Sequence, residues 1–249
     1  MRLEQIVVYT CISGNFDRLQ RQPASPNVRY ICFSDEPALV ERGTSKGWTI
    51  VPAFRPAECP TPHLVNRYHK ILCHDGFDDC AASVYVDGNV VLRSDPTAMV
   101  AAMLDSGMAL GAFRHPDRAS VSAEFEACLN LGKISPQSAS QARQYRNEQQ
   151  RQGFDDQLGL STNYLLVRRC GDSQLKGVMG DWWHDVLHRC HRDQLALQYN
   201  LWRNDQTWLP LDEFVPRQRM LYHARHGHPN AAQRAHDVLR RSLGRRIAG

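Results

Sequence analysis

The chain has 249 residues, of which 42% are hydrophobic, and a formal net charge of +4 at pH 7. This length and apolar content are those of a chain that folds around a substantial core. No apolar run approaches the ~20 residues needed to cross a bilayer, and the N-terminus lacks the pattern of a secretory signal. We therefore expect a cytoplasmic protein. The mildly basic charge is compatible with an anionic substrate but selects none.

The eight cysteines are scattered without a CxxC pair, which disfavours a zinc site or a disulfide framework. Several lie in apolar runs, and we expect most of them to be buried thiols. The chain contains no internal repeat and no clear linker. It is therefore interpreted as one domain over residues 1–230, followed by a short basic helical tail over residues 231–249.

Apolar segments alternate with amphipathic segments along the chain. The patterns predict strands at residues 6–10, 29–33 and 48–51, a helix at 62–77, a strand at 83–87, a helix at 97–104 and a strand at 108–113. Residues 135–153 are polar and are interpreted as an exposed helix or a mobile lid. A strand at 160–167 and helices at 181–190 and 194–202 follow. This order predicts an α/β fold whose mostly parallel sheet is flanked by helices and binds ligands at the carboxyl ends of its strands.

The segment SVYVDGNVVL, residues 83–92, is a β-branched run that ends in a glycine turn. Residues i and i+2 of an extended segment point the same way, so Asp87 and Asn89 leave the strand end together, and Gly88 leaves space for a ligand. Such an arrangement can hold a divalent cation against a diphosphate. The alternative is an ordinary hairpin turn, since Asp-Gly and Gly-Asn are common turn pairs.

Two other loops are expected to open on the same edge of the sheet. They are TCISGNFD, at residues 10–17, and SDE, at residues 34–36. We therefore predict that Thr10 and Asp35 contact a ligand bound in the cleft. The chain contains neither GxGxxG nor GxxxxGK[ST], which disfavours a dinucleotide oxidoreductase and a P-loop NTPase.

Several segments together resemble a glycosyltransferase-like family long catalogued as a domain of unknown function, whose plant members are associated with pectin and seed-mucilage synthesis. These segments are YTCISGNFD, YICFSDE, NRYHKILCHDGF, SVYVDGNVVL, FRHPDR with EFEAC, GLSTNYLLVRR, DWWHDV and HRDQLALQYNLW. The similarity covers roughly residues 7–202. The chain is also distantly similar to glycogenin-type enzymes of the GT-A fold, in which a helical Lys precedes an Asp-x-Asp strand end. Lys70 and Asp87 share that layout, but Asn89 replaces the second Asp.

The resemblance implies an enzyme of polysaccharide biosynthesis that transfers a sugar from a nucleotide-diphosphate sugar to a glycan or lipid-linked acceptor. It implies a Mn²⁺ or Mg²⁺ ion held by Asp87 and Asn89 and completed by a late histidine, for which we select His223. Arg67 and Lys70 would contact the diphosphate. The alternatives are a solvated helix face for the two cations and a surface loop for the histidines at 223, 226 and 228.

Asp193 and Gln194 resemble the pair that meets the donor sugar in glycogenin-like enzymes, and we predict a catalytic role for them. Asp193 could instead cap a helix. His115, Arg118 and Glu124 lie where an acceptor could enter. Glu126, or Glu124, could be a general base if the reaction inverts the anomeric centre, although such glutamates are commonly solvated.

Two other functional classes stay open at this point. A metal-dependent nucleotide-sugar hydrolase or nucleotidyltransferase could use the same cleft, and so could a non-catalytic module that binds a carbohydrate or a nucleotide. Nucleic acid is not an expected partner, because the arginines concentrate in the tail. That tail is either an exposed terminal helix or an amphipathic helix on the inner face of a membrane.

Overall fold

A computed structural model describes residues 6–77 and 79–227 of the chain. The basic tail and His228 lie outside the described residues. In chain order the helices and strands are β1 (Ile6–Ile12), β2 (Val28–Ser34), α1 (Pro37–Arg42), β3 (Thr44–Ser45), β4 (Trp48–Pro52), α2 (Pro62–Leu72), β5 (Ala82–Val86), β6 (Val90–Leu92), α3 (Thr97–Asp105), β7 (Leu110–Arg114), α4 (Val121–Asn130), α5 (Pro136–Arg151), β8 (Ser161–Arg169), α6 (Ser173–His188), α7 (Leu197–Arg203), β9 (Leu209–Pro210), α8 (Arg217–Met220) and β10 (Leu221–His223).

A large mixed sheet forms the centre of the molecule, with the strand order β3-β4-β2-β1-β5-β8-β7-β9. Strands β4, β2, β1 and β5 are parallel neighbours. Strand β8 runs antiparallel to both β5 and β7. The predicted α/β class is confirmed, with a parallel N-terminal half and a mixed remainder. Because β8 is reversed, its first residues lie at the edge where β5 ends.

The core lies on both faces of this sheet. All seven residues of β1 are buried. Val7 and Tyr9 belong to the hydrophobic cluster on one face, and Ile6 and Val8 belong to the cluster on the other. A strand that is apolar on both faces is typical of a central parallel strand covered by helices. This burial fixes the strand ends, and with them the loops that follow.

Helix α2 carries the two cations that the sequence analysis assigned to a diphosphate. It begins after Thr61, whose side chain accepts a hydrogen bond from the Leu64 backbone N–H, and Pro62 occupies its first turn. Leu64 and Val65 face the core. Asn66 donates to the Cys11 carbonyl at 2.7 Å, which ties the helix to the end of β1.

The C-terminal end of α2 is held by a buried arginine of β8. The Arg168 guanidinium donates to the carbonyls of Lys70, at 2.8 Å, and Ile71, at 3.1 Å. It also donates to the Tyr9 hydroxyl. A cation on the last carbonyls of a helix interacts favourably with the helix dipole. Arg168 therefore fixes the turn of α2 from which the Lys70 side chain projects.

Residues 136–151 form helix α5, which agrees with the interpretation of residues 135–153 as a helix. The helix is docked on the rest of the fold through its buried side chains. Tyr145 of α5 donates to Asp185 at 2.8 Å, and Gln149 donates to the Leu195 carbonyl at 3.1 Å. Helices α5 and α6 have 16 residues each. None of the helices in the described ranges is long and apolar enough to cross a membrane.

Candidate active site

Asp87 lies directly beyond the end of β5, at the carboxyl edge of the sheet. Its backbone N–H donates to the Tyr164 carbonyl at 2.8 Å, and its Oδ1 accepts from the Tyr85 hydroxyl at 2.8 Å. The Lys70 Nζ lies 3.7 Å from the same oxygen, and 28% of the Asp87 side chain is exposed. The carboxylate is therefore oriented by the protein and still open to a ligand.

Asp193 joins the two cations of α2 in a buried ion-pair group. Its carboxylate lies 2.6 Å from the Lys70 Nζ and 3.2 Å from the Arg67 Nε. Burial alone would raise the pKa of Asp193, but the charges of Arg67, Lys70 and Arg192 hold it well below its ordinary value. Burial lowers the pKa of Lys70, an effect that the carboxylates of Asp193 and Asp87 oppose. Asp193 is therefore a carboxylate throughout the physiological pH range.

The cleft at this edge has two chambers. The first measures about 530 Å³ and is lined by the end of β1, the start of α2 and the loop around Gly88. The second measures about 220 Å³ and is lined by Lys70, Asp193 and the start of β8, among others. Arg67, Asp87 and Arg192 line both chambers. The charged group therefore lies where the chambers meet.

Asp35 shapes the wall of the first chamber. Its carboxylate accepts from the Ser13 hydroxyl at 2.7 Å and from the Gly14 backbone N–H at 2.9 Å. Gly14 has φ of +66°, and a Cβ added there would lie 2.6 Å from Cβ of Pro62. Only glycine fits this turn. Asp35 is exposed and orders the turn, while residues 11–14 line the chamber.

A C-terminal strap, defined as residues 224–227, closes over the Asp87-Gly88-Asn89 turn. The Ala224 N–H donates to the Asn89 carbonyl at 2.7 Å, and the Asn89 amide donates to the Ala224 carbonyl at 3.2 Å. The same amide nitrogen lies 3.2 Å from Nε2 of His226. The other ring nitrogen of His226 lies 3.1 Å from Oδ1 of Asp17. The strap therefore links the motif to the loop after β1.

His223 lies next to this turn, because β10 pairs with β6 so that His223 is opposite Val90. Its ring centroid is 4.4 Å from that of Tyr164. Burial lowers the pKa of His223, and the negative charge of Asp87 opposes this shift. His223 is therefore near enough to Asp87 for their charges to interact, and its role as a metal ligand stays a prediction.

The donor atoms at the turn suit a cation that is shared with a ligand. Asp87 offers an accessible carboxylate, and Asn89, whose nitrogen is committed to Ala224, offers Oδ1. Within residues 6–77 and 79–227, no group of three or more His, Cys, Asp or Glu side chains could hold a metal. Mg²⁺ and Mn²⁺ are commonly bound by one or two protein oxygens with phosphate oxygens supplying others. The residues fit that arrangement.

Thr10 and Gln194 lie in different surroundings. The Thr10 side chain is buried on the face of the sheet that Ile6 and Val8 occupy, and Thr10 is absent from the residues that line the two chambers. The chamber wall begins one residue later, at Cys11. Gln194 lines the second chamber and donates to the Ser161 carbonyl at 2.9 Å.

The glutamates of α4 do not reach the charged group. Glu126 is exposed on α4, away from the residues that line the two chambers. Glu124 is buried in an ion pair with Arg118. The prediction that Glu126 acts as a general base therefore has no support from its position, because helical geometry turns residues 124 and 126 to different faces.

Three residues that line the first chamber were missed by the sequence reasoning: Asp17, Arg192 and His226. Arg192 precedes the selected Asp193-Gln194 pair, and Asp17 ends the selected loop TCISGNFD. Proximity to these motifs was the available signal for both. His226 was one of three candidate histidines, and spacing alone could not show which of them contacts Asn89.

The fold and the site define an α/β protein with a charged cleft at the carboxyl edge of its sheet. The model of the TOD1/MUCI70 glycosyltransferase-like domain matches residues 1–226. The chain belongs to this family, which confirms the predicted resemblance and the predicted class of enzyme, a glycosyltransferase. No curated protein matches the chain in sequence.

Solved glycosyltransferase structures are similar to the chain at low sequence identity. The galactosyltransferase LgtC, in complex with donor and acceptor sugar analogs, is 12% identical, with a TM-score of 0.45 over 82% of this chain and 73% of that one. Mouse xyloside xylosyltransferase 1 is 9% identical, with a TM-score of 0.41 over 92% and 98%. The bifunctional glycosyltransferase WbbM is 11% identical, with a TM-score of 0.44 over 85% and 40%.

Proposed function

We propose that this protein transfers a sugar from a nucleotide-diphosphate sugar to a glycan or lipid-linked acceptor, with a divalent cation at Asp87-Gly88-Asn89. The proposal is carried by one observation, the charged group at the junction of two chambers. A nucleotide sugar has the matching form, since a nucleoside and a sugar flank a diphosphate. The larger chamber would take the nucleoside, and the smaller one would take the sugar.

In glycosyl transfer, this charged group would stabilise the leaving diphosphate. The bond between the anomeric carbon and the diphosphate oxygen breaks, and its electron pair stays on the leaving diphosphate. Arg67 and Lys70 are held in place by Asp193, so little reorganisation is needed for them to stabilise that charge. A cation on Asp87, Asn89 and His223 would supply Lewis-acid stabilisation of the same oxygens.

Asp193 and Gln194 border the second chamber and are the proposed residues at the donor sugar. The depressed pKa of Asp193 makes it a weak base. We therefore assign Asp193 to hydrogen bonding with the sugar and to electrostatic stabilisation of its positive charge in the transition state. Gln194 is held by Ser161, which orients its side chain toward the chamber.

Room for an acceptor favours transfer over hydrolysis. A third cavity, of about 610 Å³, adjoins the second chamber across His115, Pro116 and Asp117, which line both. An acceptor in this cavity would approach the sugar from the side away from the nucleoside chamber. A hydrolase would need no such space beside the donor.

Thermal-shift measurements with a panel of nucleotide sugars, with and without Mn²⁺, test the proposal. One donor should raise the melting temperature, and Mn²⁺ should increase the shift, because a ligand that binds only the native state stabilises it. The Asp87→Asn variant should lose the Mn²⁺-dependent part, whereas Asp105→Asn, at the exposed end of α3, should keep it. If no nucleotide sugar stabilises the protein in either condition, the proposed function is wrong.

A further inference from the structure

Arg192 is one of the cations of the cleft. It lines both chambers together with Arg67 and Asp87. Its Nε is buried and has no hydrogen-bond partner, and the same is true of the Arg67 Nε. Arg192 therefore differs from Arg67 in its ion pairing and not in this atom.

The ion pairs around Arg192 show how the charges balance. Arg67 and Lys70 together carry two positive charges, and both lie within ion-pair distance of Asp193. Lys70 is also near the second carboxylate, Asp87, at 3.7 Å. These four residues therefore sum to zero. Within the described part of the chain, Arg192 has no carboxylate within ion-pair distance, so it is the net positive charge at the junction.

The pKa values of two neighbouring side chains reflect the positive charge of Arg192. Its positive charge contributes to the lowered pKa of Asp193, after those of Arg67 and Lys70. It also contributes to the lowered pKa of His63, after burial and Arg67, and His63 contacts the adjacent residue through its Nε2, which lies 3.2 Å from the His191 carbonyl. Both neighbours are therefore exposed to the positive charge of Arg192.

We propose that Arg192 is a donor-binding residue that supplies the uncompensated positive charge for the diphosphate at the junction of the two chambers. This inference rests on the proposed function. Arg67 and Lys70 would keep their ion pairs with Asp193 while they contact the diphosphate, whereas Arg192 would gain its first anionic partner. A planar guanidinium can bind two phosphate oxygens at once.

Binding of nucleoside diphosphates to Arg192 variants tests this assignment. We would titrate UDP, GDP, ADP and CDP into the wild-type protein by calorimetry and use the tightest one as the probe. Arg192→Gln should weaken it at least about tenfold at low salt, and Arg192→Lys should weaken it less. High salt should reduce the difference, because the lost interaction is electrostatic.

The matched control is Arg189→Gln, which removes the same charge from a residue outside the cleft that pairs with Glu148 at 3.5 Å. Its affinity should stay within about twofold of the wild type. Where Arg192→Gln fails to fold, Arg192→Met serves, because it keeps the aliphatic stem. Wild-type affinity in the Arg192 variants, or equal losses for residues 189 and 192, would overturn the inference alone. If the wild type binds none of the four probes, the proposed function fails and the inference fails with it.

Discussion

At the scale of single residues, Asn89 shows why an amide occupies a position where the wider GT-A pattern has a carboxylate. The Asn89 nitrogen donates to the Ala224 carbonyl, and its oxygen is left for a cation. An aspartate would present only acceptors to the same carbonyl. Asn89 therefore fastens the strap with its nitrogen, and its oxygen is the atom that would contact the proposed cation.

The Asn89→Asp change should loosen the strap even though it restores the wider pattern. It removes the donor to Ala224 and places two oxygens together, which should lower the free energy of unfolding by about 1–3 kcal/mol. Hydrogen exchange of residues 224–227 should become faster. Asn147→Asp, on the exposed face of α5, is the control and should change neither quantity. Unaltered exchange in the strap would show that the Asn89 amide does not hold it.

Several site residues were predictable because each carries a local signal. Asp87 follows a β-branched run, Lys70 lies on an amphipathic helix, and Asp193 stands in a recognised pair. The ion pair of Lys70 with Asp193 was not predictable, because the two residues are distant in sequence. Thr10 was assigned to the cleft from its loop, yet the alternation of side chains along β1 turns it to the other face of the sheet.

At the scale of elements, the C-terminal end of α2 sets the position of Lys70. Arg168 reaches this end from β8 and donates to two of its carbonyls. Its side chain is fully buried. Arg168 thus adds a charged donor to carbonyls that also contact the Tyr9 hydroxyl, at 3.1 Å, and His74 Nδ1, at 3.1 Å.

The Arg168→Met change should therefore destabilise the protein and displace Lys70. We expect the free energy of unfolding to fall by about 2–4 kcal/mol, because the buried carbonyls of Lys70 and Ile71 and the Tyr9 hydroxyl each lose a charged donor. Chemical denaturation measures this change. Arg169→Met is the control, since Arg169 is only partly buried and donates to the Leu104 carbonyl at 3.3 Å. Its cost should stay below about 1 kcal/mol. Equal losses in both variants would contradict the role given to Arg168.

Helices and strands were predicted most accurately where the hydrophobic periodicity of the segment itself indicates its structure. The buried strand β1 and the amphipathic helix α2 both appeared from their patterns. The reversal of β8 was not predictable, because strand direction depends on how distant segments pair. The short strands β6 and β10 were not predicted for the same reason, because they pair with each other although they are far apart in the sequence.

At the scale of the whole molecule, two buried histidines link stability to pH. The His69 ring lies 2.8 Å from the Val65 carbonyl through Nδ1, and its Nε2 accepts from the Phe54 N–H, which holds it neutral. Burial lowers the pKa of His69 and lowers that of His74 to about 2. In the unfolded chain both would titrate near 6.5.

The free energy of unfolding should therefore fall as pH drops below about 6.5, because the two histidines then bind protons in the unfolded chain but not in the native state. Between pH 7.5 and 5.5 His74 should contribute a loss of about 1.4 kcal/mol, measured by urea denaturation, and His69 should add a loss of the same sign. The His74→Gln variant should lose less than the wild type by about that amount over the same interval. A pH dependence that this substitution leaves unchanged would assign the acid sensitivity to other groups.

The central claim is that the cleft at Asp87 transfers a sugar from a nucleotide-diphosphate donor. Mass spectrometry of the products, with the stabilising donor and a panel of oligosaccharide acceptors, tests it most directly. The wild type should form nucleoside diphosphate and a new glycoside in equal amounts, and Asp87→Asn should slow this reaction at least about a hundredfold. Release of free sugar that no acceptor outcompetes, or an undiminished rate in Asp87→Asn, would contradict the claim.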